Sequence, residues 1–195
     1  MLAALPIADR LSSCRWLPRR GEVRLVIVKP VELRRSPGVM RSSYRYRLSR
    51  RWQQGSTLAV VGLNPSTADR YRDDATTRRV TGLAKQLGHG GFILVNLYGF
   101  RSTDPAGLLA IQDPVGPGND AAIRTAARQS DQILLAWGAA GERVSGFAER
   151  VATVKSLLTG HRCFCQGLTK AGQPRHPLYN TAPVQPYRWT SSVGD

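Results

Sequence analysis

The 195-residue sequence contains only three cysteines, and two of them, Cys163 and Cys165, stand one residue apart. An odd number so spaced cannot build a disulfide framework, so a reducing, cytoplasmic compartment is expected. Long apolar runs are missing too. Nothing approaches the roughly 18 consecutive apolar residues that a membrane span requires, so no membrane partner is expected. Histidine is sparse, at three residues. His161, Cys163 and Cys165 are too compressed for a tetrahedral metal site and no second Cys/His cluster completes one, so neither metal nor cofactor is expected. Acidic residues are the main shortage: 13 Asp and Glu face 28 Lys and Arg, for a net charge of +15 and a pI of about 11. That balance favours nucleic acid or an anionic surface as partner, with acidic proteins and acidic substrates left open. No internal repeat or low-complexity tract is present.

What remains is a chain of 42% hydrophobic and 21% charged composition, long enough for one compact domain and short for two. Its charge is uneven. Residues 1–52 carry 13 basic and 3 acidic residues, and residues 53–195 carry 15 and 10. Residues 1–39 hold Pro6, Pro18, Pro30 and Pro37 and, apart from the run 23–28, no sustained period. They read as a basic N-terminal arm, either disordered or loosely docked, or as an untranslated extension if Met40 is the true start. Pro6, Asp9 and Arg10 interrupt the first apolar run, which argues against a secretory signal. Residues 40–189 form the expected domain and 190–195 a tail; a monomer is expected.

Tyr44, Tyr46 and Leu48 alternate with Arg45, Arg47 and Ser49, the period of an edge strand with one basic face. Continuous apolar runs follow at 58–62, 92–95 and 133–136, with a weaker one at 163–165, as in buried parallel strands. Between them, Val80, Leu83, Ala84 and Leu87 fall at helical spacing after Asp73-Asp74. Asp104-Pro105 starts a short helix through Ala110. Asn119-Asp120 caps a helix to about Gln129, and Phe147, Val151, Val154 and Leu158 mark a longer one. Strands alternating with helices predict an α/β fold, a three-layer α/β/α sandwich around a mostly parallel four-stranded sheet. Ligands in such folds bind beyond the carboxyl ends of the strands. Those ends carry Asn64, Asn96, Trp137-Gly138 and the loop with His176, a set suited to a planar polar ring.

These residues carry a resemblance. Gly62-Leu63-Asn64-Pro65 resembles the first motif of the uracil-DNA glycosylase superfamily in its mismatch-specific form, where asparagine replaces the aspartate of the main uracil-excising branch. The run 92–96 is similar to the second superfamily strand, whose terminal asparagine reads the flipped base. The run 134–138 is similar to the third strand, whose Trp-Gly turn approaches a DNA phosphate. His176-Pro177-Leu178-Tyr179 resembles the His-Pro loop that supplies the catalytic histidine and the wedge. With Asn-Pro-Ser-Thr-Ala-Asp at 64–69, the stretch also resembles domain-of-unknown-function family 1643, whose activity its name leaves open. The resemblance implies that DNA, duplex or single-stranded, is the partner. It implies Asn64 and His176 as catalytic residues, Gly62, Leu63, Pro65, Ser66, Asn96 and Tyr179 as base-binding residues, and Thr67, Arg101, Trp137, Gly138, Arg175 and Leu178 as DNA contacts. Superfamily branches that hold an iron–sulfur cluster need four cysteines, more than this chain has.

The chemistry supports those roles independently. Breaking an N-glycosidic bond places negative charge on the departing base, which a neutral histidine can stabilise by hydrogen bonding in a water-poor pocket. Asn64 can orient a water but is too weakly basic to deprotonate it. Asn96 offers a donor and an acceptor side by side, as a pyrimidine edge requires. A residue such as Leu178 or Tyr179 would fill the gap left by an extruded base, and the hydroxyls of Ser66 and Thr67, at a turn before a helix, suit backbone phosphates. Ser66 and Thr67 stand where the uracil-excising branch has a tyrosine that blocks the pyrimidine 5-position, so a modified pyrimidine is the expected substrate, in repair or in defence against modified phage DNA. The sequence after the His-Pro pair departs from the family's serine-rich run.

Plainer roles stand beside these. Asn64-Pro65 is a common turn signal, Asn96 can close a strand, and Trp137 at a strand end suits a core. His89 and His161 are expected to face solvent. Asp69, Asp73 and Asp74 suit caps and ion pairs with Arg70, Arg72 and Arg78 better than a metal, and Arg101 can meet a phosphate or Asp104. A base-excising glycosylase therefore competes with a base-sensing module on the same fold and with a nucleoside or nucleotide N-glycosidase.

Overall fold

The computed structural model describes residues 43–187; the proposed arm at 1–39 and the tail at 190–195 lie outside them. The chain builds a six-stranded sheet in the order β1-β3-β2-β4-β5-β6. The strands are β1 (Leu48–Arg51), β2 (Thr57–Gly62), β3 (Gly91–Asn96), β4 (Gln132–Leu135), β5 (Cys163–Cys165) and β6 (Gln185–Pro186). The four apolar runs form the expected parallel centre, β3-β2-β4-β5. Every residue of β2 and β3 is buried, as strands covered on both faces require.

The sheet is not limited to those four strands. β1 lies antiparallel on β3 and the short β6 antiparallel on β5, so the fold is a mixed α/β domain with a parallel centre and antiparallel edges. The edge strand also starts later than its alternation predicts. Tyr44 makes only an isolated bridge to Phe100, and Tyr46 packs so tightly on Gly99, Gly116 and Gly118 that a Cβ at any of them would come within 2.8 Å of its ring or of a neighbouring atom. The two tyrosines stack, with centroids 5.8 Å apart. Their packing against the loops beyond β3 displaces regular pairing until Leu48.

Strand alternation divides the core. Leu58, Val60, Phe92 and Leu94 pack with Val80, Leu83 and Ala84 of α1 (Ala75–Gln86). Ala59, Val61, Ile93 and Val95 pack with Ile123 and Ala126 of α2 (Asn119–Arg128) and with Val151 and Val154 of α3 (Phe147–Leu157). Asp74 caps α1, accepting from the Thr77 N–H at 2.7 Å, and Asp104 caps the 3-10 turn Pro105–Ala110. No helix of the described residues is long and apolar enough to cross a membrane.

Three local expectations are corrected. Asn119 does not cap α2, because the cap position is Gly118; its side chain turns inward to the chain after β3 instead. His89 does not face solvent. It is buried between Ser56 Oγ at 2.9 Å and Gln132 Oε1 at 3.3 Å, satisfying polar groups at the amino end of the sheet. The Asp73 carboxylate pairs with none of Arg70, Arg72 and Arg78, the last of which donates to its backbone carbonyl, but with the buried Arg50 of β1 at 2.6 Å, which ties the edge strand to the start of α1.

Candidate functional site

The carboxyl ends of β3, β2 and β4 lie side by side, so their loops line one rim. Asn96 ends β3 and stands in register with Gly62, which ends β2. The pairing is intimate: a Cβ on Gly62 would lie 2.6 Å from Asn96 Oδ1, so glycine makes room for the amide. Asn96 is 4% exposed, yet its carboxamide makes no hydrogen bond to any described residue. Its amide atoms are not among the buried polar atoms left without a partner, so they are open to solvent or a ligand at the rim. Its backbone, by contrast, is clamped. Asn119 Nδ2 donates to the carbonyls of Asn96 and Leu97 at 3.0 and 2.9 Å, and the buried Arg150 of α3 donates from Nε to Leu97 O at 2.6 Å while pairing with Asp120. Both helices on that face thus set where Asn96 points.

Asn64 follows β2. Its Nδ2 donates to Ser102 O at 2.8 Å and to Pro65 O at 3.2 Å, which ties together the loops after β2 and β3. Its Oδ1 makes no bond to a described residue and keeps its lone pairs for a ligand or water. Leu63 and Pro65 are buried and Ser66 half-buried, while Thr67 is exposed. Ser66 and Thr67 lie in the loop between β2 and α1, which begins at Ala75, and Asp74 accepts from the Thr77 N–H at its start.

Trp137 and Gly138 follow β4. Trp137 is buried in the core and its indole N–H donates to Gln173 Oε1 at 2.9 Å, so the ring braces the loop that leads to His176. Gly138 takes φ +68° and sits against His176, 3.2 Å from where its own Cβ would be; a side chain there would be both strained and crowded. An open cavity of about 330 Å³ lies here, lined by Gly138, Thr169, Arg175, His176, Tyr179 and Asn180. Neighbouring strands are spaced about 4.8 Å apart, so this cavity, after β4, lies two strands or roughly 10 Å along the rim from Asn96 at the end of β3.

His176 precedes the 3-10 turn Pro177–Tyr179. Its Nδ1 accepts from the Leu178 N–H at 3.3 Å. A backbone N–H can only donate, so Nδ1 carries the lone pair and the neutral ring holds its proton on Nε2. Burial pushes the imidazole below its usual pKa, against a smaller opposing pull from Asp74. The turn is fastened to α1 by Arg79, which donates to the carbonyls of Pro177 at 3.3 Å and Asn180 at 3.0 Å, and to the β5 side by Asn180, which donates to Gln166 O. Tyr179 is 85% exposed beside the imidazole, with ring centroids 5.7 Å apart. Leu178 is half-buried; Arg175 is exposed, with Nε bonded to Leu168 O.

Arg101, half-buried, does not pair with Asp104, whose carboxylate caps the following turn instead. The described residues contain no group of three potential metal ligands. Cys163 and Cys165 are free and buried, and burial pushes the Cys165 thiol up, away from nucleophilic use. Sequence reasoning missed the supports: Asn119, Arg150 and Arg79, all distant in sequence from what they hold. It also missed Tyr71, which is 78% exposed under the Arg70 guanidinium at 4.7 Å.

No curated protein and no solved structure matches the chain. A family model does, over residues 45–178, which spans β1 to β5 and reaches the His176 turn. The match covers more than half of the sequence, and the chain accordingly belongs to the family described as Protein of unknown function (DUF1643).

Proposed function

We propose that the protein is a DNA glycosylase-like enzyme that takes a modified pyrimidine out of the helix stack and hydrolyses its N-glycosidic bond, on the three-layer α/β/α plan of the uracil-DNA glycosylase superfamily. The observation that carries the reading is the carboxamide of Asn96 at the end of β3, for which Gly62 makes room and which bonds no described residue, on the same rim as a neutral imidazole. A paired donor and acceptor there match a pyrimidine edge. Helices on both sheet faces, the order of the strand-end residues and the basic charge support the same plan.

In this reading the base enters between Asn96 and the His176 loop. The C1′–N bond breaks with its electron pair passing to the base, and His176 Nε2–H donates to the base carbonyl that takes up the charge. Asn64 Oδ1 accepts from the water whose oxygen bonds to C1′. The water's proton passes to solvent or to the departing base. Ser66 and Thr67 leave the 5-position open, while Thr67, Arg101, Gly138, Arg175 and Leu178 face the strand and Tyr179 stacks at the entrance.

One observation favours a second reading. The group after β2 is the Asn64 amide, held by Ser102 O and Pro65 O and too weakly basic to deprotonate a water, which suits a module that senses a modified base without cutting it. Incubation with oligonucleotides carrying uracil or 5-substituted pyrimidines, followed by alkaline cleavage, separates the two. The enzyme predicts strand breaks that Asn64→Ala and His176→Ala abolish while binding persists; the module predicts binding alone. Preference for plain uracil over 5-substituted bases would contradict the modified-base assignment.

A further inference from the structure

On the loop after β3 and the chain that bridges it, two arginines share one face without a bonded carboxylate. Tyr44 and Phe100 form an antiparallel bridge, closed by bonds from the Arg45 N–H to Gly99 O and from the Arg101 N–H to Ser43 O, both 2.8 Å. Side chains alternate across such a ladder. Tyr44 and Phe100 meet edge to face on one side, which leaves Arg45 and Arg101 on the other, diagonal to each other across the bridge. Among the charged groups acting on Arg45, Arg101 is felt most strongly, ahead of Asp74, Arg50 and Asp69; together with burial it brings the Arg45 guanidinium down to about 10. Arg45 Nη1 is buried with no hydrogen-bond partner.

The nearby carboxylates of Asp69 and Asp74 act on Arg45 through their charge but spend their hydrogen bonds on other groups. Asp69 accepts the N–H groups of Tyr71 and Arg72, Asp74 those of Ala68 and Thr77, and Asp73 pairs with Arg50. The ion pairs among the described residues are Arg50–Asp73 and Arg150–Asp120, and neither includes Arg45 or Arg101. Two guanidinium groups on one face of a bridge, one with an unused donor, suit a tetrahedral oxyanion, since each planar fork can take two of its oxygens. The pair is also well placed. Arg101 directly precedes Ser102, whose carbonyl Asn64 holds, and Asp74 acts on both Arg45 and His176.

We propose that Arg45 and Arg101 form a phosphate clamp that grips the phosphodiester flanking the extruded nucleotide on the Asn64 side of the cleft. The anion's identity rests on the nucleic-acid reading above; the clamp itself rests on the arginine geometry. The pair fixes the position of the sugar, while Asn96 reads the base.

The test uses the full chain and a short oligonucleotide in which single phosphates are replaced in turn by neutral methylphosphonates. One replacement next to the target nucleotide should weaken binding about tenfold in the wild type and have no effect in Arg101→Gln. The slope of log affinity against log salt should also fall by about one unit in that variant. Arg101, being half-buried, is the safer variant; Arg45→Lys checks that the buried fork, rather than charge alone, is required. If Arg101→Gln retains the full salt slope and responds to every replacement as the wild type does, the clamp is wrong. A second arm measures stabilisation by inorganic phosphate against chloride at equal ionic strength. Phosphate-specific stabilisation lost in Arg101→Gln, with no oligonucleotide binding, would keep the clamp and overturn the nucleic-acid reading. A wild type that shows neither phosphate-specific stabilisation nor oligonucleotide binding would overturn both.

Discussion

At the scale of single residues the site depends on groups whose backbone is held while the side chain stays open. Asn96 has its backbone clamped by Asn119 and its side chain left open above Gly62. Gly62→Ala is therefore expected to fold with a loss of about 1–3 kcal/mol and to impair base binding as much as Asn96→Ala does, because the new methyl occupies the place of the amide. Thermal denaturation beside an oligonucleotide-binding assay checks this; a Gly62→Ala protein that binds like wild type would contradict it. His176 gives a signed pH dependence. Its folded pKa is depressed below 6.5 by burial, so the unfolded chain takes up the proton more readily. The stability linked to this group is complete above about 6.5 and is lost as pH falls through the folded value. Base release requiring neutral imidazole should fall over the same acid range. His176→Gln should flatten that part of the stability profile and remove activity at every pH.

At the scale of elements, the strand ends of interest were legible because β2, β3 and β4 are continuous apolar runs that stop at Gly62, Asn96 and Leu135. Helix positions were legible from periodicity and from the Asp74 and Asp104 caps. What the pattern could not show was the cross-chain supports. Asn119 reads as a cap because its type and position suit one, and only packing against the end of β3 turns it inward. Tyr44 and Tyr46 read as strand because local alternation does not register three distant glycines. Arg79 is one basic residue on a polar helix face until the His176 turn folds onto it. Replacing Arg79 by Ala removes two hydrogen bonds to that turn and should cost about 1–3 kcal/mol. Faster amide exchange confined to residues 176–180, with reduced base release, is the expected result. Unchanged exchange there would show that the turn is held by other contacts.

At the scale of the molecule, the charge and the fold address different questions. The basic excess concentrates before residue 53, whereas the cleft is built from residues 62–180, so affinity and recognition should separate. Deleting residues 1–39, which hold eight basic and three acidic residues, is expected to flatten the salt dependence of DNA binding. The ranking of bases should be preserved. A changed base preference on deletion would place the arm within the site.

The central claim, that this rim flips and cuts a modified pyrimidine, is tested most directly by mass analysis of bases released from DNA carrying a panel of pyrimidine modifications. The account predicts a free 5-substituted base and an alkali-labile abasic site with wild-type protein, and neither with Asn96→Ala or His176→Ala. Tight binding across the panel with no base released would contradict it.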